Sequence, residues 1–323
     1  MLGANEQLLE DGIITSEQYV IIKNYEKTKP LSIHWELRTI LYLGILLFTS
    51  GISILIYQNI DTIGHQAILG FIGLGTISCF YYALKNKLPY SNRPTKHDSP
   101  FFDYIILLGC LLFGIFIGYL QYQYSIFGLH YGIATFIPTV LFFSCAYYFD
   151  HKGILSLGIS GLAAWAGLTV TPLQLLESND FSDTRIIVTA ILLGVTIAVL
   201  AIFSDLKDIK KHFSFSYHNF AINILCIAML SALFEFSYKF FTLIFLIGIC
   251  YYYFKYAISR QSFLFLVLSI IYGYIGITYL LFRTMSNIDL NEGLFMLGFF
   301  YISGSCVGIV FFFLNYKRIL KLK

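Results

Sequence analysis

The chain has 323 residues, of which 58% are hydrophobic and only 12% are charged, and its mean hydropathy is +0.74. A soluble domain carries about 25% charged residues and cannot hide so much apolar surface in its core, so the composition excludes the soluble globular class. The net charge of +3 is too small to indicate a nucleic-acid partner. The composition therefore predicts a membrane protein that contacts the lipid bilayer.

The first 34 residues are the most polar part of the chain and predict a short cytosolic helical hairpin, ahead of a transmembrane bundle over residues 35–323. Asp11 and Gly12 break the first helix, and Thr15 with Gln18 has the spacing of a capping box for the second. The residues that would form one apolar interaction face are Ile13, Ile14, Ile22 and Tyr25. So small a hairpin needs a partner surface, which is either the bundle's own cytoplasmic face, another copy or a protein partner.

The stretch from Leu8 to Asp61 resembles the DUF2157 family of bacterial predicted membrane proteins. The residues that carry the resemblance are Gly12, Ile13, Ile14, Glu17 and Gln18 of the hairpin, Gly44 and Gly51 of the first span, and Asn59 after it. The chain departs from the family pattern at Ile60, where the family has Trp. The resemblance implies a bacterial integral membrane protein and brings no biochemical activity with it.

The first apolar run, Leu37–Tyr57, predicts a helix of about 32 Å, which matches the hydrocarbon thickness of a bilayer. Further apolar runs predict nine more spans, at Ala67–Leu84, Tyr104–Leu120, Tyr131–Phe149, Gly153–Gln174, Ile186–Ser204, His218–Phe234, Phe240–Phe254, Ser262–Phe282 and Leu294–Asn315. We therefore expect an all-α, polytopic helical membrane protein of about ten transmembrane helices.

The basic residues predict the orientation of these spans. With ten spans, every Lys and Arg except Arg185, Lys239 and Arg283 falls on the same side as the N-terminus. Basic residues are retained on the cytoplasmic side. We therefore expect a multi-pass protein of the bacterial cytoplasmic (inner) membrane with both termini in the cytoplasm.

The search for a chemical site yields neutral polar residues only. No Asp, Glu, Lys or Arg lies near the middle of a predicted span, whereas proton relays and ion paths usually carry such charges. A site between broken helices could use prolines and uncharged side chains instead, and the candidates are Pro138, Thr171, Pro172, Gln174, Asn219 and Asn223. The alternative is that the prolines are ordinary kinks and the polar side chains bond helix to helix.

Patterns of catalytic and metal sites are missing from the sequence. The seven histidines lie at span ends or in loops without metal-ligand spacing, and we interpret them as interfacial. The six cysteines fall inside apolar runs, which favours small buried side chains. We therefore expect no catalytic residue, no metal and no cofactor.

Small residues recur at helical spacing in three spans. Gly114 with Gly118 and Gly304 with Gly308 form GxxxG patterns. Ser156, Ser160 and Ala164 repeat every four residues in the fifth span. Such faces let helix backbones approach closely, and we predict that they pack inside the bundle.

Two classes of function fit the sequence. The first is a non-enzymatic membrane scaffold or sensor whose N-terminal hairpin binds itself or a partner. The alternative is a transporter or lipid-handling protein that uses the neutral polar site. An enzyme is the least favoured class, because no catalytic pattern is present.

Overall fold

The computed structural model describes residues 15, 17–19, 34–95, 100–170, 183–286 and 292–321. This part of the chain is α-helical and contains no β-strand, so the all-α prediction is confirmed. The chain divides into two compact units, Met1–Ile52 and Ser53–Lys323, which are treated separately below.

Ten long helices occupy the described residues. They are α1 (His34–Ile63), α2 (His65–Lys85), α3 (Pro100–Tyr124), α4 (Tyr131–Phe149), α5 (Lys152–Val170), α6 (Thr184–Lys207), α7 (Lys211–Glu235), α8 (Lys239–Arg260), α9 (Phe263–Ser286) and α10 (Glu292–Ile319). Within the described residues, α2 to α10 supply nine helices that are long and apolar enough to cross a membrane, and α1 contributes a shorter apolar stretch, Thr39–Leu55.

Each predicted span corresponds to one of these helices, although several ends differ. The eighth span, predicted as Phe240–Phe254, extends to Arg260 in α8. Beyond the apolar run, Lys255 lies with its Nζ 4.7 Å from the ring centre of Tyr251, and the helix ends where Gln261 takes a left-handed backbone. The fifth span, predicted to reach Gln174, is helical through Val170, and the residues beyond lie outside the described part.

Eight helices of the second unit form four antiparallel pairs, α2/α3, α4/α5, α6/α7 and α8/α9, and the two members of each pair pack against each other along their length. The turns that close these pairs all lie at one end of the bundle, which we name the turn end. Three of the turns are short and comprise residues 150–151, 208–210 and 261–262. The turn end therefore collects the charged residues that the sequence predicts to be cytoplasmic.

Close backbone contacts within the pairs occur at glycines. A Cβ at Gly194 of α6 would lie 2.7 Å from Leu225 Cγ of α7, and one at Gly276 of α9 would lie 2.5 Å from Leu246 Cδ2 of α8. Only glycine allows the helices to approach this closely, because a real Cβ does not tolerate such distances.

The predicted small-residue faces pack differently. A Cβ at Gly118, Gly304 or Gly308 would meet no described atom within 4 Å, and Ser160 and Ala164 are exposed. The prediction that these faces pack inside the bundle is therefore wrong for these five residues, whereas Gly114 does pack, since its Cβ would lie 3.4 Å from Phe142 Cζ of α4. Spacing alone identifies small residues but not the direction in which they face, and neighbouring helices decide which glycines become contacts.

The predicted capping box is present in the structure. The Thr15 backbone N–H donates to Gln18 Oε1 over 3.0 Å, and the Gln18 N–H donates to Thr15 Oγ1 over 3.3 Å. Such reciprocal bonds satisfy two backbone donors at a helix start. The interaction face predicted for Ile13, Ile14, Ile22 and Tyr25 lies outside the described residues.

Candidate functional site

Several residues at the turn end have a left-handed backbone, and one of them is Asp150, which ends α4. Its φ of 60° and ψ of 37° place it in the left-handed region, where helices normally end on glycine. Lys210, which precedes α7, has a left-handed backbone as well, with φ 48° and ψ 47°. Such conformations of non-glycine residues persist where their surroundings hold them, and they cluster at functional sites.

The side chains of these two residues form an ion pair inside the protein. Lys210 Nζ lies 2.7 Å from Asp150 Oδ1, and the two side chains are only 1% and 4% exposed. Removing one partner of such a pair leaves a buried, uncompensated charge and costs about 3–5 kcal/mol. The pair therefore fixes the turn of α4/α5 to the turn of α6/α7.

Asp150 has further partners from two directions. His212 Nε2 lies 2.6 Å from Oδ1. The Thr95 backbone N–H donates to Oδ2 over 2.7 Å, and the Thr95 hydroxyl donates to the same oxygen over 3.2 Å. Thr95 belongs to the connection between α2 and α3, so one carboxylate joins the turns of three helix pairs.

Aromatic rings complete the surroundings of Lys210. Its Nζ lies 4.8 Å from the ring centre of Tyr90 and 6.0 Å from that of Phe213. A cation over an aromatic face is stabilised by the ring's quadrupole, by about 2 kcal/mol or more where water is excluded. Both the charge and the apolar stem of Lys210 are thus accommodated in a site closed to solvent.

The hydrogen bonds decide the protonation state of Asp150. Burial alone would raise the pKa of its carboxyl group, but the bonds from Lys210, Thr95 and His212 outweigh burial and hold the pKa below its ordinary value. Asp150 is therefore ionised at neutral pH, and the cluster that it forms with Thr95, Lys210 and His212 contains a stable negative charge. We call these four residues the Asp150 cluster.

A small cavity adjoins this cluster, with a volume of ≈ 20 Å³, room for about one water molecule. Its polar lining consists of Tyr90, Ser91, Thr95, Asp103, Tyr148, Asp150 and Lys210. The Lys87 ammonium donates a hydrogen bond to the Tyr148 hydroxyl at the same end of the bundle. The cavity is too small for an organic substrate.

A second carboxylate joins the third and fourth helix pairs. Asp205, in the last turn of α6, accepts a hydrogen bond from Arg260 Nη2 over 2.8 Å. Its other oxygen, Oδ2, lies 3.3 Å from His218 Nε2 of α7. The Asp205 side chain is 17% exposed and that of Arg260 is 44% exposed, so water reaches this group more readily than it reaches Asp150.

Hydrogen bonds between neutral side chains also link helices of different pairs. The Tyr147 and Tyr217 hydroxyls lie 2.9 Å apart and connect α4 to α7. Asn223 Nδ2 donates to the Asn219 carbonyl oxygen over 2.7 Å, and Asn223 Oδ1 accepts from the Tyr272 hydroxyl over 2.7 Å. Asn223 therefore bonds α7 to α9.

Three of the predicted polar residues lie in the described part of the chain, and their use as a substrate site stays a prediction. Asn219 and Asn223 are one turn apart in α7, and the bond from Tyr272 to Asn223 is of the helix-to-helix kind that the alternative interpretation describes. Pro138 is buried in a different helix, α4, where the neighbouring Thr139 hydroxyl bonds back to Thr135 and packs against Gly161. The remaining candidates, Thr171, Pro172 and Gln174, lie outside the described residues.

The two carboxylate clusters could not be foreseen from the sequence. His151 lies in the turn after α4, as predicted for a span end, but it is only 5% exposed, and His218, the eighth residue of α7, is fully buried, which its position in the sequence does not indicate. The available signal was the position of Asp150 and Asp205 directly at the ends of apolar runs. It could not identify their partners, because Lys210 is sixty residues from Asp150 in the chain.

Comparison with known proteins finds a matching family model, and that model brings no activity with it. A family model described as "Predicted membrane protein (DUF2157)" matches residues 6–155. The matched segment includes Asp150 and ends before Lys210 and His212. No curated protein and no solved structure matches the chain.

Proposed function

We propose that the protein is a non-enzymatic membrane scaffold with a sensing role. The premise is that residues 6–155 match the DUF2157 family of predicted membrane proteins. The observation that carries the proposal is the Asp150 cluster, in which one buried carboxylate holds the turns of three helix pairs together. In this function the turn end is a fixed surface, and the bilayer-spanning helices are its support.

The energetics of the cluster support a fixed arrangement. Separating the third helix pair from the second would leave the Lys210 ammonium group without its buried partner Asp150, at a cost of about 3–5 kcal/mol. Glycine contacts such as Gly194 against Leu225 add close packing within the pairs. A transporter that alternates between two arrangements would have to overcome such costs in every cycle.

The alternative of a transporter or lipid-handling protein has weaker support. Its neutral polar site would need groups free to bind a substrate in the membrane interior. The Asn223 side chain, however, already bonds to Asn219 and Tyr272. A substrate would therefore have to displace these bonds before it gained its own.

Association of the scaffold is proposed to involve the N-terminal hairpin. The capping box formed by Thr15 and Gln18 supports a defined helix start in this otherwise short polar segment. We propose that the face of Ile13, Ile14, Ile22 and Tyr25 contacts a second copy of the chain. The alternative is that a different protein binds this face, and counting copies per particle distinguishes the two.

The fixed arrangement can be tested by distance measurements between spin labels. Labels at Arg93→Cys and Asp208→Cys would report on the turns of the first and third helix pairs, and both positions are exposed. In liposomes we expect one narrow distance distribution, which broadens when Asp150→Asn is added. Lys207→Gln, at an exposed basic residue near Lys210, is the matched control and should leave the distribution narrow. Two populations in the otherwise unchanged chain would contradict the scaffold and favour the transporter.

Association can be tested by counting copies per particle in lipid nanodiscs. We expect the unmodified chain to form a defined oligomer and the variant Ile14→Asp with Ile22→Asp to be single, because two buried charges would be introduced into the contact. Glu17→Gln changes an exposed residue of the same segment and should associate normally. If the unmodified chain is already single, self-association is wrong and a distinct partner is the remaining occupant of the hairpin.

A further inference from the structure

His218 lies inside the apolar part of the bundle, although its partner Asp205 lies near the surface. It is the eighth residue of α7, about 10 Å along the helix axis from the first residue, and its side chain is 1% exposed. Intramembrane ionisable residues are expensive to bury and are most often functional. The position of His218 therefore requires an explanation beyond packing.

The two ring nitrogens of His218 have different surroundings. Nε2 faces the Asp205 carboxylate, which only accepts hydrogen bonds, so in the neutral ring this nitrogen carries the hydrogen. The other nitrogen, Nδ1, is then a lone-pair acceptor. It is buried and has no hydrogen-bond partner among the described residues. The Tyr253 hydroxyl, on the neighbouring helix α8, is buried without a partner as well.

An unpartnered buried acceptor costs about 1–3 kcal/mol, which selection for stability alone would remove. A lone pair held next to a carboxylate–imidazole bond is, however, suited to take up a proton, since the resulting cation faces an anion across its other nitrogen. The same arrangement recurs at His212, whose Nε2 faces Asp150 and whose Nδ1 is buried without a described partner.

The charges and rings around His218 come from three neighbouring helices. Asp205 of α6 favours the protonated ring, and Arg260 at the end of α8 opposes it. The aromatic rings of Tyr256, Tyr253 and Phe265 have centres 4.2, 5.8 and 6.4 Å from that of His218. The rings of Tyr253 and Phe265 stand nearly perpendicular to the imidazole and that of Tyr256 is tilted by 42°, so aromatic side chains enclose the ring.

We propose that His218 is a proton-binding site within the bundle, with Nδ1 as the nitrogen that takes up the proton and Asp205 as the anion that faces the resulting cation. A hydronium ion gives one proton to Nδ1 and leaves as water, and the ring changes from neutral to a single positive charge. The inference rests on the proposed function in one respect, because it names the proton as the input of the sensor. The site itself depends only on the contacts of His218.

Solid-state ¹⁵N spectra of the full-length, histidine-labelled chain in liposomes would test the site directly. Such spectra distinguish a protonated from an unprotonated ring nitrogen, and His218→Gln identifies the signals by their loss. We expect the neutral ring to carry its hydrogen on Nε2 and to gain a second hydrogen on Nδ1 as the pH falls from 8 to 4. A ring that keeps one protonation state over this range, or whose neutral form has the hydrogen on Nδ1, would overturn the proposal.

Two variants with opposite expected effects separate the site from general damage to the fold. Asp205→Asn should lower the midpoint of the titration by at least one pH unit, a tenfold loss of proton affinity, and Arg260→Gln should raise it. The matched control is Asp208→Asn, which removes an exposed acid that pairs with exposed Lys211. Because salt screens surface charges, this change should shift the midpoint by no more than roughly 0.3 pH units.

If Asp205→Asn does not fold, Arg260→Gln decides alone: a higher midpoint supports the site, and an unchanged midpoint overturns it. An equal shift in Asp205→Asn and Asp208→Asn would also overturn it. The titration does not depend on the number of copies or on the rigidity of the turns, so the scaffold and the proton site can each fail without the other.

Discussion

Replacing Asp150 by Asn should destabilise the protein more than any exposed substitution at the turn end. The change keeps the size of the side chain but removes the charge opposite Lys210, whose side chain is 1% exposed. The stranded ammonium group cannot reach water without moving the turn, so we expect a loss of about 3–5 kcal/mol in unfolding free energy.

A double-mutant cycle measures the interaction energy between Asp150 and Lys210 directly. Lys210→Met leaves Asp150 with the bonds from Thr95 and His212 and should cost less, about 1–3 kcal/mol. In the double variant the Lys210 ammonium group is absent, so it cannot be left buried without a partner. The loss of unfolding free energy should therefore be smaller than the sum of the two single losses by about 1–3 kcal/mol. Lys207→Met removes an exposed charge nearby and should stay within about 0.5 kcal/mol of the unmodified chain.

Unfolding in detergent can be followed with a thiol-reactive dye, because Cys110, Cys145, Cys226 and Cys250 are buried in the folded protein. The dye reacts as these cysteines become accessible, and the transition gives the stability of each variant. Additive effects of the two single substitutions, to within about 0.5 kcal/mol, would refute the argument that Asp150 and Lys210 stabilise each other.

Three further outcomes follow from the same structure. The pKa of Asp150 lies below its ordinary value in the folded state, so its contribution to stability is present above the unfolded pKa of about 3.9 and is lost as the pH falls through the folded pKa. Thermal stability should therefore decline at acid pH, and it should decline less steeply in Asp150→Asn. Gly194→Ala should cost about 1–3 kcal/mol, because its Cβ would lie 2.7 Å from a leucine of α7, whereas Gly118→Ala, with open space around it, should be nearly neutral in the same dye assay. Reporter fusions at Asp180 and Lys323 should report the outside and the cytoplasm respectively, and the reverse pattern would contradict the predicted orientation.

The helices could be predicted from the sequence because each depends on local properties. An apolar run of about twenty residues has to cross the bilayer as a helix whatever its neighbours are, since its backbone groups find no partners in lipid. The helix ends could not be predicted from hydropathy: Lys255 and Arg260 lie within α8, near the rings of Tyr251 and Tyr256, whereas their charges place them in a loop when only hydropathy is considered.

The candidate site could not be predicted because it depends on contacts between distant residues. Asp150 looks like an ordinary loop acid until the fold places Lys210 and His212 against it. Ionisable residues at the centres of spans mark functional sites, but His218 lies at the start of a predicted span, so its position in the sequence does not single it out. Its burial comes from α8 and α9, which follow much later in the chain.

The two carboxylates differ in a way that assigns them different roles. Asp150 is almost completely enclosed, so solvent does not screen its ion pair, and the pair suits a structural link between three turns. Asp205 is partly exposed and pairs with an arginine that is 44% exposed, so solvent screens the pair and protons can reach it.

The turn of α6/α7 connects these two sites. The Ser204 hydroxyl, next to Asp205, donates to the Ile209 carbonyl oxygen over 2.9 Å, and Ile209 directly precedes Lys210. His218 faces Asp205, and Asp205 lies just before the turn that positions Lys210 against Asp150. The proposed proton site and the structural link are therefore in contact through one turn, and energetic coupling between them is a separate property that a double-mutant cycle measures.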